Sequence, residues 1–325
     1  MKNWLTRLLL AAGCATLIAG PALAEYPEHA ITLVTPFAPG GGSDLVTRVL
    51  AEALTRHLGE KVIVQNFGGA GGIIGTQHVA SSAPDGYTLL LHHTGLATAP
   101  ALYSHLTFDP VKSFADVGLF ADTPMIIVSS NSLPAHNMKE LADYVRKNKE
   151  KVTFASSGSG SATHLCALLF QKEVGAKVTM VQYKGSGPAL LDVQANRVDL
   201  LCDVTASMSK YITSGSVRGY VLTTDKRLPT LPNLPASDEV GMPDLKISAW
   251  YGLYAPAGTP QAVVDKLSKA LAEADADPQV KERLAQMDTT LFDPKLATPE
   301  ALHQRLTSQI AFWTPIIEAA GVKPN

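Results

Sequence analysis

The sequence predicts an α/β protein of two domains, and three observations carry that expectation. Short apolar runs alternate with amphipathic helical stretches along most of the 325 residues. Such β-α-β alternation needs crossover helices, so the sheets are expected to be largely parallel. The chain is also too long for a single compact core, yet no Gly/Ser-rich or low-complexity linker divides it. Two domains without a flexible linker imply a chain that crosses between them through extended segments.

Taken in order, strands are expected at Ile31–Phe37, Val62–Asn66, Tyr87–His92, Val117–Leu119, Met125–Val128, Val152–Ser156, Val178–Tyr183, Val198–Cys202, Arg218–Thr223 and Ile247–Tyr254. Each is a run rich in branched and aromatic side chains, bounded by turn residues. Helices are expected at Asp44–Leu58, Met138–Asn148, His164–Val174, Ala189–Ala195 and Met208–Ser214, where apolar residues recur at helical spacing. The tail differs: Pro260–Ala274, Pro278–Gln286 and Pro299–Ala320 read as three helices opening near a Pro, with Thr259 and Thr298 as candidate caps. Pro315 is expected to kink or restart the last helix.

Residues Met1–Ala24 read as a secretory leader. Lys2 and Arg7 give the positive start, Leu8–Gly20 the apolar stretch, and Ala22-Leu23-Ala24 the cleavage pattern. The mature chain is expected to begin at Glu25 in an oxidising space outside the cytoplasm. Lipidation at Cys14 is the rival reading, but the apolar stretch before it is too short. The remaining Cys166 and Cys202 lie in apolar stretches and are read as two buried free thiols, although spacing alone leaves a disulfide open.

Composition removes several functions. The formal net charge is -2 and no Lys/Arg run exceeds two residues, so no nucleic-acid partner is expected. No Cys-x-x-Cys or His-x-x-x-His occurs, which leaves metal ligation and redox catalysis without support. The Gly clusters do not complete G-x-G-x-x-G: Gly69-Ala70-Gly71 meets Ile74, Gly158-Ser159-Gly160 meets Thr163, and Gly185-Ser186-Gly187 meets Leu190. No Gly-x-Ser-x-Gly elbow appears, and Ser207-Met208-Ser209-Lys210 lacks its companion motifs. No cofactor is expected.

The loops that follow the strands are unusual as a set. They include Phe37-Ala38-Pro39-Gly40-Gly41-Gly42-Ser43-Asp44, Gly68-Gly69-Ala70-Gly71-Gly72, His92-His93-Thr94-Gly95, Ser157-Gly158-Ser159-Gly160-Ser161-Ala162-Thr163 and Lys184-Gly185-Ser186-Gly187. Open α/β sheets bind ligands beyond the carboxyl ends of their strands. Glycine lets backbone N–H groups come close, and helix N-termini add unpaired donors and a positive dipole end. That chemistry favours a carboxylate without needing Lys or Arg. Asp44 is expected to cap its helix or orient its loop, His164 to cap or line the pocket, and Asp203 to line the pocket or brace a loop. Trp250 either packs between the domains or lines the cleft.

These residues carry a resemblance. Pro36–Asp44, Gly69-Ala70-Gly71-Gly72, Tyr183-Lys184-Gly185-Ser186-Gly187-Pro188-Ala189 and Trp250–Pro260 closely resemble the Bug family, the extracytoplasmic solute receptors of tripartite tricarboxylate transporters. The resemblance spans essentially the whole mature chain. It implies a two-lobed clamshell (a Venus flytrap) with the ligand in the hinge cleft. Crossovers then fall near Pro124–Val128 and Ile247–Leu253. One lobe comprises 25–124 with 249–325, the other 125–248. The first lobe holds a ligand carboxylate through its loops at Phe37, Ala38, Pro39, Gly40, Gly41, Ser43 and Asp44, at Gly69, Ala70, Gly71 and Gly72, and near Thr94. The second closes with Ser157, Gly158, Ser159, Thr163, His164, Gly185, Ser186, Gly187 and Asp203. Where the family usually carries Arg-Pro before Gly-Ala-Gly-Gly, this chain carries Phe67-Gly68; Asn196 replaces a common Gly, and Cys202 a larger apolar residue.

The leading expectation is a monomeric, non-enzymatic receptor that delivers a small carboxylate to the large and small membrane subunits of a tripartite transporter. The competing expectations are a secreted α/β enzyme acting on a carboxylated substrate and a receptor feeding a sensor kinase.

Overall fold

The computed structural model describes residues 26–319 and Gly321. The expected leader Met1–Ala24, its cleavage site and Cys14 lie outside the described residues. Strands run at β1 (Ile31–Thr35), β2 (Val62–Asn66), β3 (Thr88–His93), β4 (Phe114–Ser129), β5 (Thr153–Ser156), β6 (Thr179–Gln182), β7 (Leu200–Val204), β8 (Arg218–Leu222), β9 (Ser248–Pro256) and β10 (Thr290–Leu291). Helices run at α1 (Gly42–Leu58), α2 (Ile73–Ala80), α3 (Gly95–Leu102), α4 (Met138–Asn148), α5 (Ala162–Val174), α6 (Ser186–Gln194), α7 (Thr205–Thr213), α8 (Gln261–Ala276), α9 (Pro278–Ala285) and α10 (Pro299–Ala319).

The strands form two sheets that share β4. In the first, the order is β2-β1-β3-β9-β4, with β10 also on β4. Here β1, β2, β3 and β4 run one way, β9 and β10 the other. In the second, β4-β7-β5-β6 with β8 on β4, strands β5, β6, β7 and β8 run together and β4 opposes them. The expected α/β layers are present as mixed sheets: β1–β2, β1–β3, β5–β6 and β5–β7 pair parallel, whereas every pair that involves β4 or β9 is antiparallel. Strand β4 changes partners in mid-length: Phe114–Pro124 pairs with β9, Met125–Ser129 with β7. Strand β9 begins at Ser248, opposite Pro124.

Apolar burial explains the layers. Ile31, Leu33, Leu50 and Leu54 pack between the first sheet and α1, and Phe154, Leu165 and Phe170 between the second sheet and α5, all buried. Local chemistry sets the helix ends. Asn137 caps α4 by accepting from Glu140 N–H at 2.9 Å, and Glu140 reaches back to His136 N–H at 2.7 Å. Thr298 accepts from Ala301 N–H at 3.2 Å at the start of α10. Gly59 closes α1 at φ 80, returning its N–H to Thr55.

Several expectations need correction. The two strands read at Val117–Leu119 and Met125–Val128 are one strand, β4. Register shifts at Asp116/Gly118 and Leu119/Ala121 break its alternation, which is why the pattern looked interrupted. Helices α2 and α3 were not expected. In α3, Gly95 through Ala99 and Leu102 are all buried, so no amphipathic stripe marks it. Helix α10 continues through Pro315 without restarting; Ala311, whose carbonyl loses its partner there, is exposed to solvent. Thr259 bonds the Pro256 carbonyl and does not cap α8. Asn196 sits at φ 58, the left-handed conformation that suits the Gly usual there.

Cys166 and Cys202 are joined in a disulfide, contrary to the free-thiol expectation. Helix α5 lies on β7, and burial of both side chains between them brings their Cα atoms to 6.1 Å, within bridging range. The bridge closes a sequence separation of 36 residues, so loop entropy assigns it about 4 kcal/mol. The double variant Cys166→Ala/Cys202→Ala is expected to unfold at lower denaturant by that amount. An unchanged midpoint would show the bridge to be energetically idle.

Candidate functional site

The loops after β1, β2 and β3 face those after β5, β6 and β7. Asp44 organises the first of them. Its carboxylate accepts from Gly40 N–H at 3.0 Å, from Asn66 at 3.0 Å and from Arg48 at 2.9 and 3.1 Å. Asn66 also donates to Phe37 O at 3.1 Å, tying the end of β2 to the same loop. Burial would raise the Asp44 pKa, but the bonds from Arg48, Gly40 and Asn66 together hold it below the ordinary value. Asp44 is thus a brace, one of the two roles expected of it, and Gly40 N–H is already engaged.

The next loop turns on residues at positive φ: Gly69, Ala70, Gly71 and Gly72 at 142, 47, 63 and 104. In the opposite lobe Ser157 N–H donates to the Thr163 hydroxyl at 2.7 Å, Ser161 caps α5, and His164 Nδ1 accepts from Gly160 N–H at 3.1 Å. His164 is therefore a buried loop brace.

The lobes are closed on one another. Ala38 N–H donates to Lys184 O at 3.3 Å. The Tyr103 hydroxyl lies 2.9 Å from Ser159 O and 2.7 Å from Ala70 O; the Thr98 hydroxyl lies 2.8 Å from Gly160 O and 3.0 Å from Gly95 O. Glycine makes the approach possible. A Cβ on Gly71 would stand 1.8 Å from Ser159 O, one on Gly42 1.9 Å from Val204 Cγ2, and one on Gly158 2.5 Å from Gly71 N. Pro39 O lies against Gly187, and Gly185 against Ala38. Gly68 is equally tight: a Cβ there would meet Lys184 O at 2.8 Å and Ala38 N at 2.9 Å. That contact leaves room for nothing larger than glycine at this position.

The loops enclose a cavity of about 10 Å³, room for about one water. Of the expected site residues, Phe37, Gly41, Ser43, Ser157, Thr163, Ser186 and Asp203 line it. Ala38 with Lys184 and Gly185, Pro39 with Gly187, and Gly71 with Gly158 and Ser159 form the contact between lobes around it, while Gly69, Ala70 and Gly72 pack within their own lobe against Ile74, Tyr103, and Phe37 with His92. Thr94 and Trp250 are elsewhere. Alternation along β9 turns Ala249 toward the cavity and Trp250 to the other face, into a pocket of about 360 Å³ with Thr94, Asp122, Arg305 and Trp313. There the Arg305 guanidinium lies 5.6 Å from the Trp250 ring centre. The expectation that Trp250 lines the Gly-rich cleft is corrected accordingly.

Sequence reasoning missed His93, Met125, Ala162, Val204 and Ala249, which also line the cavity. His93 ends β3, and position beyond a strand's carboxyl end was the available signal. It stacks on Phe37 at 4.6 Å and accepts Gly95 N–H at 3.0 Å. Burial lowers its pKa to about 3, so it is neutral.

Four helix N-termini converge on this cavity. Gly41 and Ser43 open α1, Ala162 and Thr163 open α5, Ser186 opens α6, and Val204 precedes α7. Their dipoles and free N–H groups favour an anion. Among the described residues no Lys or Arg lines the cavity, and no cluster of three or more metal-binding side chains occurs.

Comparison with known proteins places the chain in a family. The profile of the "Tripartite tricarboxylate transporter family receptor" matches residues 46–322. The chain belongs to this family. An Agrobacterium vitis protein encoded in the TAR-I ttuE-ttuC' intergenic region is 41% identical over 94% of this chain and 89% of its own length. The periplasmic binding protein BugD superposes with a TM-score of 0.90 at 44% identity, covering 92% of this chain and all of that one. MatC of Rhodopseudomonas palustris, solved with bound malate, superposes at 0.86 with 32% identity over 90% of this chain and 100% of its own. The protein is thus a Bug-type periplasmic binding protein of two-lobed α/β fold.

Gly42→Ala is expected to leave the first lobe folded, because alanine suits the first turn of α1. The new methyl collides with the buried, stiff Val204 side chain and holds the lobes apart. Small-angle scattering with malate, or another carboxylate that the parent binds, should show compaction for the parent and none for the variant. Equal compaction would mean that the cleft closes by another path.

Proposed function

We propose that the protein captures a small carboxylate between its lobes in the periplasm and delivers it to the large and small membrane subunits of a tripartite transporter. The convergence of four helix N-termini and the hydroxyls of Ser43, Ser157, Thr163 and Ser186 on one cavity without a cationic side chain carries this reading. The proposed lobes are 25–124 with 249–325, and 125–248, hinged where β4 passes Pro124 and the chain returns at Ser248. A cavity of about 10 Å³ admits no dicarboxylate, so capture begins from parted lobes and ends in a closed form that touches the ligand from both sides.

The reading is of a receptor and not of an enzyme. A general base works best with a pKa near the working pH. Burial lowers the His93 pKa to about 3 and that of His164 to about 4, and each uses Nδ1 to accept a backbone N–H; Asp203, raised to about 6, has both oxygens engaged by Val204 N–H and the Ser186 and Ser207 hydroxyls. Malate, the ligand of MatC, is the first probe, followed by other di- and tricarboxylates, aromatic acids and acidic amino acids.

Two outcomes test the reading. In a thermal-shift screen the true ligand should bind at least about tenfold more tightly than its monoamide, about 1.4 kcal/mol; equal affinity for acid and amide would remove the carboxylate. Mass spectrometry of the exported protein should show a chain beginning at Glu25. A lipid on Cys14 would place it on a membrane instead.

A further inference from the structure

The inference drawn here rests on the carboxylate reading of the cleft and concerns Asp203. This residue near the carboxyl end of β7 is 2% exposed and lines the cavity. Its Oδ1 accepts from Val204 N–H at 2.9 Å and from the Ser186 hydroxyl at 3.0 Å; its Oδ2 accepts from the Ser207 hydroxyl at 3.0 Å. The groups facing it from neighbouring elements supply no cation. His93 on β3 is neutral, the Tyr251 phenol on β9 is held protonated by burial, and β4 contributes Met125. On α1, Ser43 is uncharged and the Asp44 carboxylate is already matched by Arg48. A ligand carboxylate brought into this cavity therefore meets a buried like charge, a conflict that low dielectric magnifies.

One proton removes the conflict, and the surrounding hydroxyls can accommodate it. Ser186 Oγ lies 3.0 Å from Asp203 Oδ1 and also 3.0 Å from Ser157 Oγ. Ser207 Oγ lies 3.0 Å from Asp203 Oδ2 and also 3.0 Å from Val204 O. Either hydroxyl can turn its own hydrogen to that second acceptor and receive one from Asp203. Through Ser207, whose second acceptor is a carbonyl, no donor is then left without a partner. Burial already raises the Asp203 pKa to about 6, against the three hydrogen bonds that lower it. An added anion raises it further.

We propose that Asp203 makes capture proton-linked: the protein takes up a small carboxylate together with one solvent proton, held on Asp203. An O–H bond forms on the Asp203 carboxyl as the hydronium or buffer acid that supplies the proton gives up its own bond to hydrogen, and no other covalent bond changes. Asp203 is thereby a specificity-determining residue, admitting an anion only with its proton, so affinity rises as the medium acidifies.

Calorimetric titration with malate and with adipate, in two buffers of different ionisation enthalpy, counts the protons. At about pH 7.5 the carboxyl groups of both probes are ionised, so uptake is by the protein. Expected are about 0.5–1 proton per ligand and a Kd that weakens about five- to tenfold from pH 6.5 to 7.5. Asp203→Asn, neutral and similar in shape, should bind with no proton uptake and a Kd flat across that range. Binding by the parent with less than about 0.1 proton taken up overturns the proposal; so does equal uptake in Asp203→Asn. Failure of every carboxylate of the screen, malate and adipate included, to bind the parent even at pH 5.5 is a separate result that overturns the carboxylate reading itself, and the proton link with it.

Discussion

The two lobes meet backbone to backbone, and the site depends on that approach. A carbonyl of one lobe occupies the space where a side chain on Gly71 would begin, and Val204 occupies the corresponding space at Gly42. Such proximity is available only to glycine. It brings the helix N-termini of both lobes to one cavity and makes their N–H groups the main charge-bearing surface. The missing cations follow from this design. With α1, α5, α6 and α7 all pointing inward, an added Lys or Arg would fill space that the backbone needs.

Much of this was legible in the residues, for physical reasons that can be named. Helix α4 was read at its observed bounds because apolar residues recur on one face, and in the structure Asn137 with Glu140 caps it. Nine of the ten strands were found, β4 as two pieces, from their branched side chains; the two-residue β10 was not. Helix α3 was hidden because its first five residues are all buried, which leaves no apolar stripe, and because it carries Pro100. The long strand β4 was hidden because bulges and Pro124 interrupt its period. The Cys166–Cys202 bridge depends on how α5 lies on β7, which spacing does not encode.

The site divides in the same way. Its Gly- and Ser-rich loops are local patterns, and most of the residues they nominated lie in or around the cavity. Trp250 was nominated from the segment that holds it, but a one-residue alternation on β9 decides which face it takes, and Ala249 took the cleft. His93 and Met125 enter the cavity from β3 and from the crossing of β4, positions fixed by sheet order, not by neighbours in sequence.

The two hydroxyls of Thr98 and Tyr103 bear on how such a clamp can also let go. Each carries a single hydrogen and stands between two carbonyls, one across the cleft and one in its own lobe. A donor stripped of its only acceptor would resist separation by about 1–3 kcal/mol. Here parting exchanges Gly160 O for Gly95 O, and Ser159 O for Ala70 O, so each hydrogen has a waiting berth. The mouth of the cleft thus works as a pair of turnstiles: it holds position when shut, yet adds little friction in either direction.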